Sequence, residues 1–146
     1  MATSSPWPAY ILGASTIALS LHCVIAPRKE YPRYGLPFET PQAAATAANK
    51  NKSSNLSTAV APGAISPLIY LKGIREASYG AAFIAFQYQG NYAGVTTMAG
   101  IMGLAAIADG VLVWLYGGED GRPKAFGHSV VGSMTVGWAA YRYLWV

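Results

Sequence analysis

Charge is what this sequence has least of. Lys, Arg, Asp and Glu make up 11% of its 146 residues and apolar side chains 53%, where a soluble domain carries about 25% charged residues. So little polar material favours a membrane protein, in line with a mean hydropathy of +0.28. Cysteine is almost absent too. Cys23 stands alone, which excludes an intrachain disulfide scaffold. The apolar content excludes a disordered chain. The formal net charge is +4, yet the basic residues are too scattered to track a phosphate backbone, so nucleic acid is excluded as a partner. Met1–Tyr10 lacks Lys and Arg, and the apolar stretch there outruns a signal-peptide core. The N-terminus therefore reads as a retained first span, neither a signal nor an Arg-rich transit peptide.

What the sequence does contain is a set of long apolar runs. Crossing about 30 Å of hydrocarbon takes roughly 20 helical residues. Residues 8–26, 67–88, 92–116 and 125–146 meet that length. They are continuous, unlike the alternating segments of a membrane barrel. The first and third also lack the charged outer face of a soluble bundle. The expected fold is all-α: a single domain over residues 1–146, forming a four-helix transmembrane bundle. Gly117–Gly121 reads as the turn before the last span.

Basic residues set the orientation. Arg28, Lys29, Arg33, Lys50, Lys52, Arg122 and Lys124 fall on one side, with only Arg142 on the other. Both termini are then non-cytoplasmic. The sequons at Asn51 and Asn55 lie on the cytoplasmic side and should carry no sugar. In the loop 27–66, the aromatic and proline-rich stretch around Tyr31–Phe38 suggests an ordered segment at the membrane face. Residues 41–64, rich in Ala, Ser, Thr and Asn, read as a flexible linker, with a short surface helix over 41–49 as an alternative.

Ionisable groups inside a span are costly and usually face the bundle interior or a wet cavity. At helical rise, His22 lies about 6 Å from the cytoplasmic end of its span, Asp109 about 10 Å, and Arg75 with Glu76 about 12 to 14 Å. His128 stands near the start of the last span. All four spans thus bring a titratable group to the cytoplasmic half of the bilayer. Lys72, Arg75, Glu76, Tyr79 and Phe83 share one helical face. Gly73, Ala77 and Gly80 lie beside it, where another helix can approach closely. Ala99 with Gly103, Ala106 with Gly110, and the row Ser129, Ser133, Gly137 read as small-residue packing stripes.

Plainer readings stand beside these. Arg75 with Asp109 or Glu76 can be an ion pair that only sets helix register. Lys72 can snorkel to the headgroups, and His22 can be an interfacial histidine. Arg142 is expected to snorkel at the opposite face among Tyr141, Tyr143 and Trp145. Cys23 fits a small apolar filler. For a metal, the candidate ligands His22, Glu76, Asp109 and His128 lack ligand spacing, and Lys72 and Arg75 oppose a cation. No metal and no cofactor are expected.

The segments Ala26-Pro27, Tyr34-Gly35-Leu36-Pro37, Lys72-Gly73-Ile74-Arg75-Glu76, Ala108-Asp109-Gly110, Lys124-Ala125 and His128 resemble DUF4267, a family of small integral membrane proteins of fungi and bacteria. The resemblance covers nearly the whole chain apart from the Ala/Ser/Asn-rich linker. Family members often carry aspartate where this chain has Glu76, which keeps the carboxylate and lengthens its reach. The resemblance implies four spans, a membrane location and, for some fungal members, a place beside secondary-metabolite pathways, polyketide or terpenoid.

Two carboxylates in unequal surroundings divide into an acid and a base. The expected function is a membrane-embedded acid/base enzyme acting on a lipophilic small molecule by epoxide opening (hydrolysis or cyclisation) or isomerisation. Asp109 is the base, Arg75 its orienting partner, Glu76 the acid and His128 a proton relay; Tyr79, Lys72 and His22 line the substrate. The alternatives are a structural or assembly subunit and a proton-coupled carrier, the latter disfavoured because no inverted repeat is visible. Expected partners are the lipid bilayer and a hydrophobic small molecule, with a homo-oligomer permitted. The expected location is the endoplasmic reticulum or another endomembrane.

Overall fold

The computed structural model describes residues 5–35 and 67–145. Among them are five helices and no strand: α1 (Trp7–Ile25), α2 (Pro27–Tyr34), α3 (Leu68–Tyr88), α4 (Tyr92–Tyr116) and α5 (Gly118–Trp145). The all-α expectation holds. Helices α1 and α4 are long and apolar enough to cross a membrane; α3 and α5 carry more charge. The linker 41–64, the surface helix over 41–49 and both sequons lie outside the described residues.

Three of the expected spans match their helices to within a residue or so. The fourth begins earlier, because Gly117 and Gly118 make the turn, Gly118 with a φ of 65°, and α5 is counted from Gly118. Pro123 does not break α5; it lies near the helix start, with Glu119 and Asp120 in the first turn, where negative charge complements the helix dipole.

Two antiparallel helix pairs carry most of the packing, α1 against α3 and α4 against α5, with α3 touching α4 between them. Each pair approaches closely through glycine. A Cβ on Gly80 would lie 2.5 Å from the Gly13 carbonyl oxygen, and one on Gly103 would lie 2.8 Å from that of Gly132. Cys23 fills the space opposite Gly73, fully buried. The main core gathers Ala9, Phe83, Val95, Met98, Ala99 and Ala139 at one end of the helices. At the other end Cys23, Tyr31 and Ile69 form a smaller cluster.

One expected stripe is displaced. Ser133 and Gly137 are exposed, and α5 meets α4 through Ala125, Ser129, Gly132 and Val136 instead. Four residues advance 400° around a helix, so a strict i+4 row drifts off the contact line, whereas alternating steps of three and four stay on it.

Candidate functional site

Helix α2 is the element that assembles the site. It leaves α1 after Ala26 with Pro27 in its first turn, where a missing N–H costs nothing. It stops at Gly35, whose φ of 100° suits glycine. A short helix ends with unsatisfied carbonyls, and here α5 side chains supply the donors. Lys124 Nζ donates to the Pro32 carbonyl. His128 Nε2 donates to the Tyr34 carbonyl at 3.3 Å; facing a carbonyl, that nitrogen carries the proton. Gly35 itself packs against Val113, Lys124 and Gly117. The far side of α2 is held to α1 by Glu30, 2% exposed, which accepts from Arg33 Nη1 at 2.9 Å and pairs with His22 Nδ1.

So anchored, Tyr34 reaches the charged layer. Lys72 Nζ lies 5.1 Å from the centroid of its ring, and the His128 ring meets it edge-on at 5.1 Å. Its hydroxyl is within hydrogen-bonding reach of both Asp109 and Arg75. Burial, then the charge and hydrogen bonding of Asp109, raises the phenol above its ordinary value, so the hydroxyl keeps its proton at neutral pH.

The centre of the layer is an ion pair between α3 and α4. Arg75 Nη2 donates to Asp109 Oδ2 at 2.6 Å and Nη1 to Oδ1 at 3.2 Å, a two-pronged contact. Nη2 also reaches Glu76 Oε1 at 3.4 Å. Asp109 is 7% exposed. Arg75 Nε is buried with no partner among the described residues.

The structure therefore brings together Arg75, Glu76 and Asp109, with Lys72 and His128 one residue removed through Tyr34. It does not bring in His22, which serves Glu30, nor Tyr79, which packs against the main core. Arg142 departs from its expected surface position. It is 3% exposed, donates from Nε to Thr96 Oγ1 at 3.1 Å and stacks over Trp138 at 5.2 Å. Internal acceptors satisfy it better than a reach to the interface. Sequence reasoning passed over Tyr34 and Glu30 as site residues. The only signal for Tyr34 was its place in the Tyr-Gly-Leu-Pro segment.

On the outer face of α4 and α5 opens an apolar groove of about 290 Å³, walled by Val111, Trp114, Leu115 and Phe126 and floored by Gly110 and Ala125. No group of three or more His, Cys, Asp or Glu side chains that could hold a metal occurs among the described residues.

Apolar helices joined by the Arg75–Asp109 ion pair define a small helical protein with a polar layer near one end. Residues 13–142 match the family described as Domain of unknown function (DUF4267), and the chain belongs to that family. No curated protein and no solved structure matches it.

Proposed function

We propose that the chain crosses the membrane four times, with both termini on the non-cytoplasmic side, and that its charged layer is an acid/base site for a lipophilic small molecule. Large apolar side chains turned outward from all four long helices support the spanning: Leu21 is 57% exposed, Ile74 63%, Leu104 64% and Met134 70%. In water such a surface would be an association liability; in lipid it is the expected solvent-facing side. The basic residues at the α2 end set the orientation, and an endomembrane such as the endoplasmic reticulum is the proposed location.

The observation that carries the chemistry is one guanidinium holding two carboxylates from different helices, Asp109 and Glu76. In epoxide opening, Asp109 takes a proton from water as the water oxygen bonds to the epoxide carbon. The carbon–oxygen bond breaks, and the ring oxygen takes a proton from protonated Glu76. The same pair would serve cyclisation, with an internal hydroxyl in place of water, or isomerisation by proton removal and return. Arg75 orients both groups. The groove at Gly110, next to Asp109 in sequence, offers the lipophilic body a seat.

A second reading, in which the ion pair only sets helix register, draws support from its geometry: both Asp109 oxygens and both terminal Arg75 nitrogens are engaged. One experiment separates the two. Wild type and Asp109→Asn are placed in lipid nanodiscs with 1,2-epoxydodecane in H2(18)O, and labelled diol is measured. Diol from wild type and none from an equally folded variant supports the enzyme. Absence of product from wild type overturns epoxide hydration as the reaction, and collapse of the variant supports the structural role.

A further inference from the structure

The groove on the outer face of α4 and α5 has a cation at its mouth. Arg122, Phe126 and Ser129 follow the spacing i, i+4, i+7 on α5, so Arg122 stands one turn above the stretch of groove that the other two line. Its guanidinium lies over the ring of Trp114, which walls the groove from α4, at 5.3 Å from the centroid. Arg122 and Ser129 are about 10 Å apart along the helix axis. In a membrane the groove therefore runs from headgroup level at the α2 end toward the bilayer interior. Its lining is apolar apart from Ser129, whose hydroxyl donates to the Ala125 carbonyl of its own helix at 3.0 Å. Arg75, Glu76 and Asp109 do not line it.

Charge decides what the head of an occupant can be. Among the described residues, Arg28, Lys29, Arg33 and Arg122 are exposed at the α2 end, against Glu119 and Asp120. Arg122 Nη2 donates to Glu119 Oε1 at 2.9 Å, but the two side chains are 53% and 79% exposed. An open ion pair of this kind holds its partners weakly. Stacking on Trp114 keeps the guanidinium at the groove whether or not Glu119 is engaged, and its planar fork matches phosphate oxygens. Size decides the tail. A volume of about 290 Å³ is at the small end for a ligand pocket, roughly 300–1,000 Å³, which suits one chain.

We propose that this groove binds an acidic phospholipid, with one acyl chain between Trp114 and Phe126 and the phosphate paired with Arg122. Glu119 is the internal competitor for the guanidinium. The site rests on the membrane-spanning reading alone; a lipophilic substrate entering the groove would first displace the lipid. Two substitutions pull in opposite directions. Arg122→Gln removes the cation and Glu119→Gln removes its competitor, and both positions are exposed.

The test uses the full chain carrying Trp7→Phe, Trp138→Phe and Trp145→Phe, which leaves Trp114 as the only tryptophan. It is placed in nanodiscs of phosphatidylcholine with phosphatidylserine, and bromine on the acyl chains of one lipid or the other quenches Trp114 on contact. Phosphatidylserine is expected to be preferred at Trp114 about fivefold, the effect of one cation on an anionic headgroup. Arg122→Gln should abolish the preference and Glu119→Gln should raise it. Lys29→Gln, an equal loss of charge on α2, should leave it unchanged. Native mass spectrometry of wild type, which should retain phosphatidylserine over phosphatidylcholine, needs no tryptophan substitution. Equal retention or equal quenching, a preference that survives Arg122→Gln, or its loss in Lys29→Gln overturns the lipid site and leaves the spanning reading standing. Quenching by neither lipid also overturns it: in a dimer the groove is filled by a second copy, and in a monomer the spanning reading itself fails.

Discussion

Glu30 and Asp109 are both buried carboxylates held by arginine, and they are built in opposite ways. Glu30 finds His22 and Arg33 within the same turn of chain, where α1 passes into α2. Its partners are half-exposed: His22 has 38% and Arg33 57% of its side chain open to solvent. Asp109 finds Arg75 on another helix and Tyr34 on a third, and it closes contacts between elements far apart in the chain. The first carboxylate pins a corner whose partners stay partly solvated. The second depends on helices brought together from distant parts of the chain. Local construction serves the corner; long-range construction serves the site.

The widest separation between the two should appear on truncation. Asp109→Ala strands Arg75 between helices and is expected to cost about 3–5 kcal/mol, whereas Arg75→Met with Asp109→Leu should regain most of that stability. Unfolding in bicelles measures both, and a double variant as unstable as the single one would break the account. Glu30→Ala should cost less, about 1–2 kcal/mol, since its partners can turn to water. A loss equal to that of Asp109→Ala would erase the distinction.

Gly35 links the corner to the site. Gly35→Ala forces an L side chain into a left-handed backbone, with its Cβ 2.7 Å from Val113 Cγ1. The expected cost is about 1–2 kcal/mol, read from unfolding in bicelles. Unchanged stability would show that the left-handed turn at Gly35 can be remade at no cost.

The smallest effect is a pH dependence. The folded-state value of Tyr34 lies above its unfolded one, so its contribution is complete below about pH 10 and is lost as pH rises through the folded value. The difference in melting temperature between wild type and Tyr34→Phe should hold steady from pH 7 to about 10 and narrow above. A difference that narrows already at pH 8 would contradict the buried phenol.

Much of this was legible before the fold was known. Arg75 and Asp109 stood out because each interrupts an apolar run, and helical rise put them at one depth. Gly73 and Gly80 were readable as a close-packing edge from their spacing. Other features were not legible. Tyr34 sits among ordinary loop aromatics, and nothing local says that α5 side chains will cap its helix. The Ser129–Ser133–Gly137 row had the right composition and the wrong phase. Arg142 looked like an interface anchor because Thr96 and the Tyr92 carbonyl are distant in sequence. His22 looked like part of the layer by depth alone, although its partner Glu30 was only eight residues away.

The scarcity of charge and the length of the apolar runs determined, by themselves, an all-helical chain with ionisable groups drawn to one level. Composition and period suffice for that, since burial of apolar length and helical rise are local properties. Only the tertiary structure decided which of those groups meet. Pairing depends on the rotation of each helix about its axis and on the path of α2, and both are set by contacts between residues remote in sequence. Those contacts join Arg75 to Asp109, assign His22 to Glu30 and bring Tyr34 to Asp109.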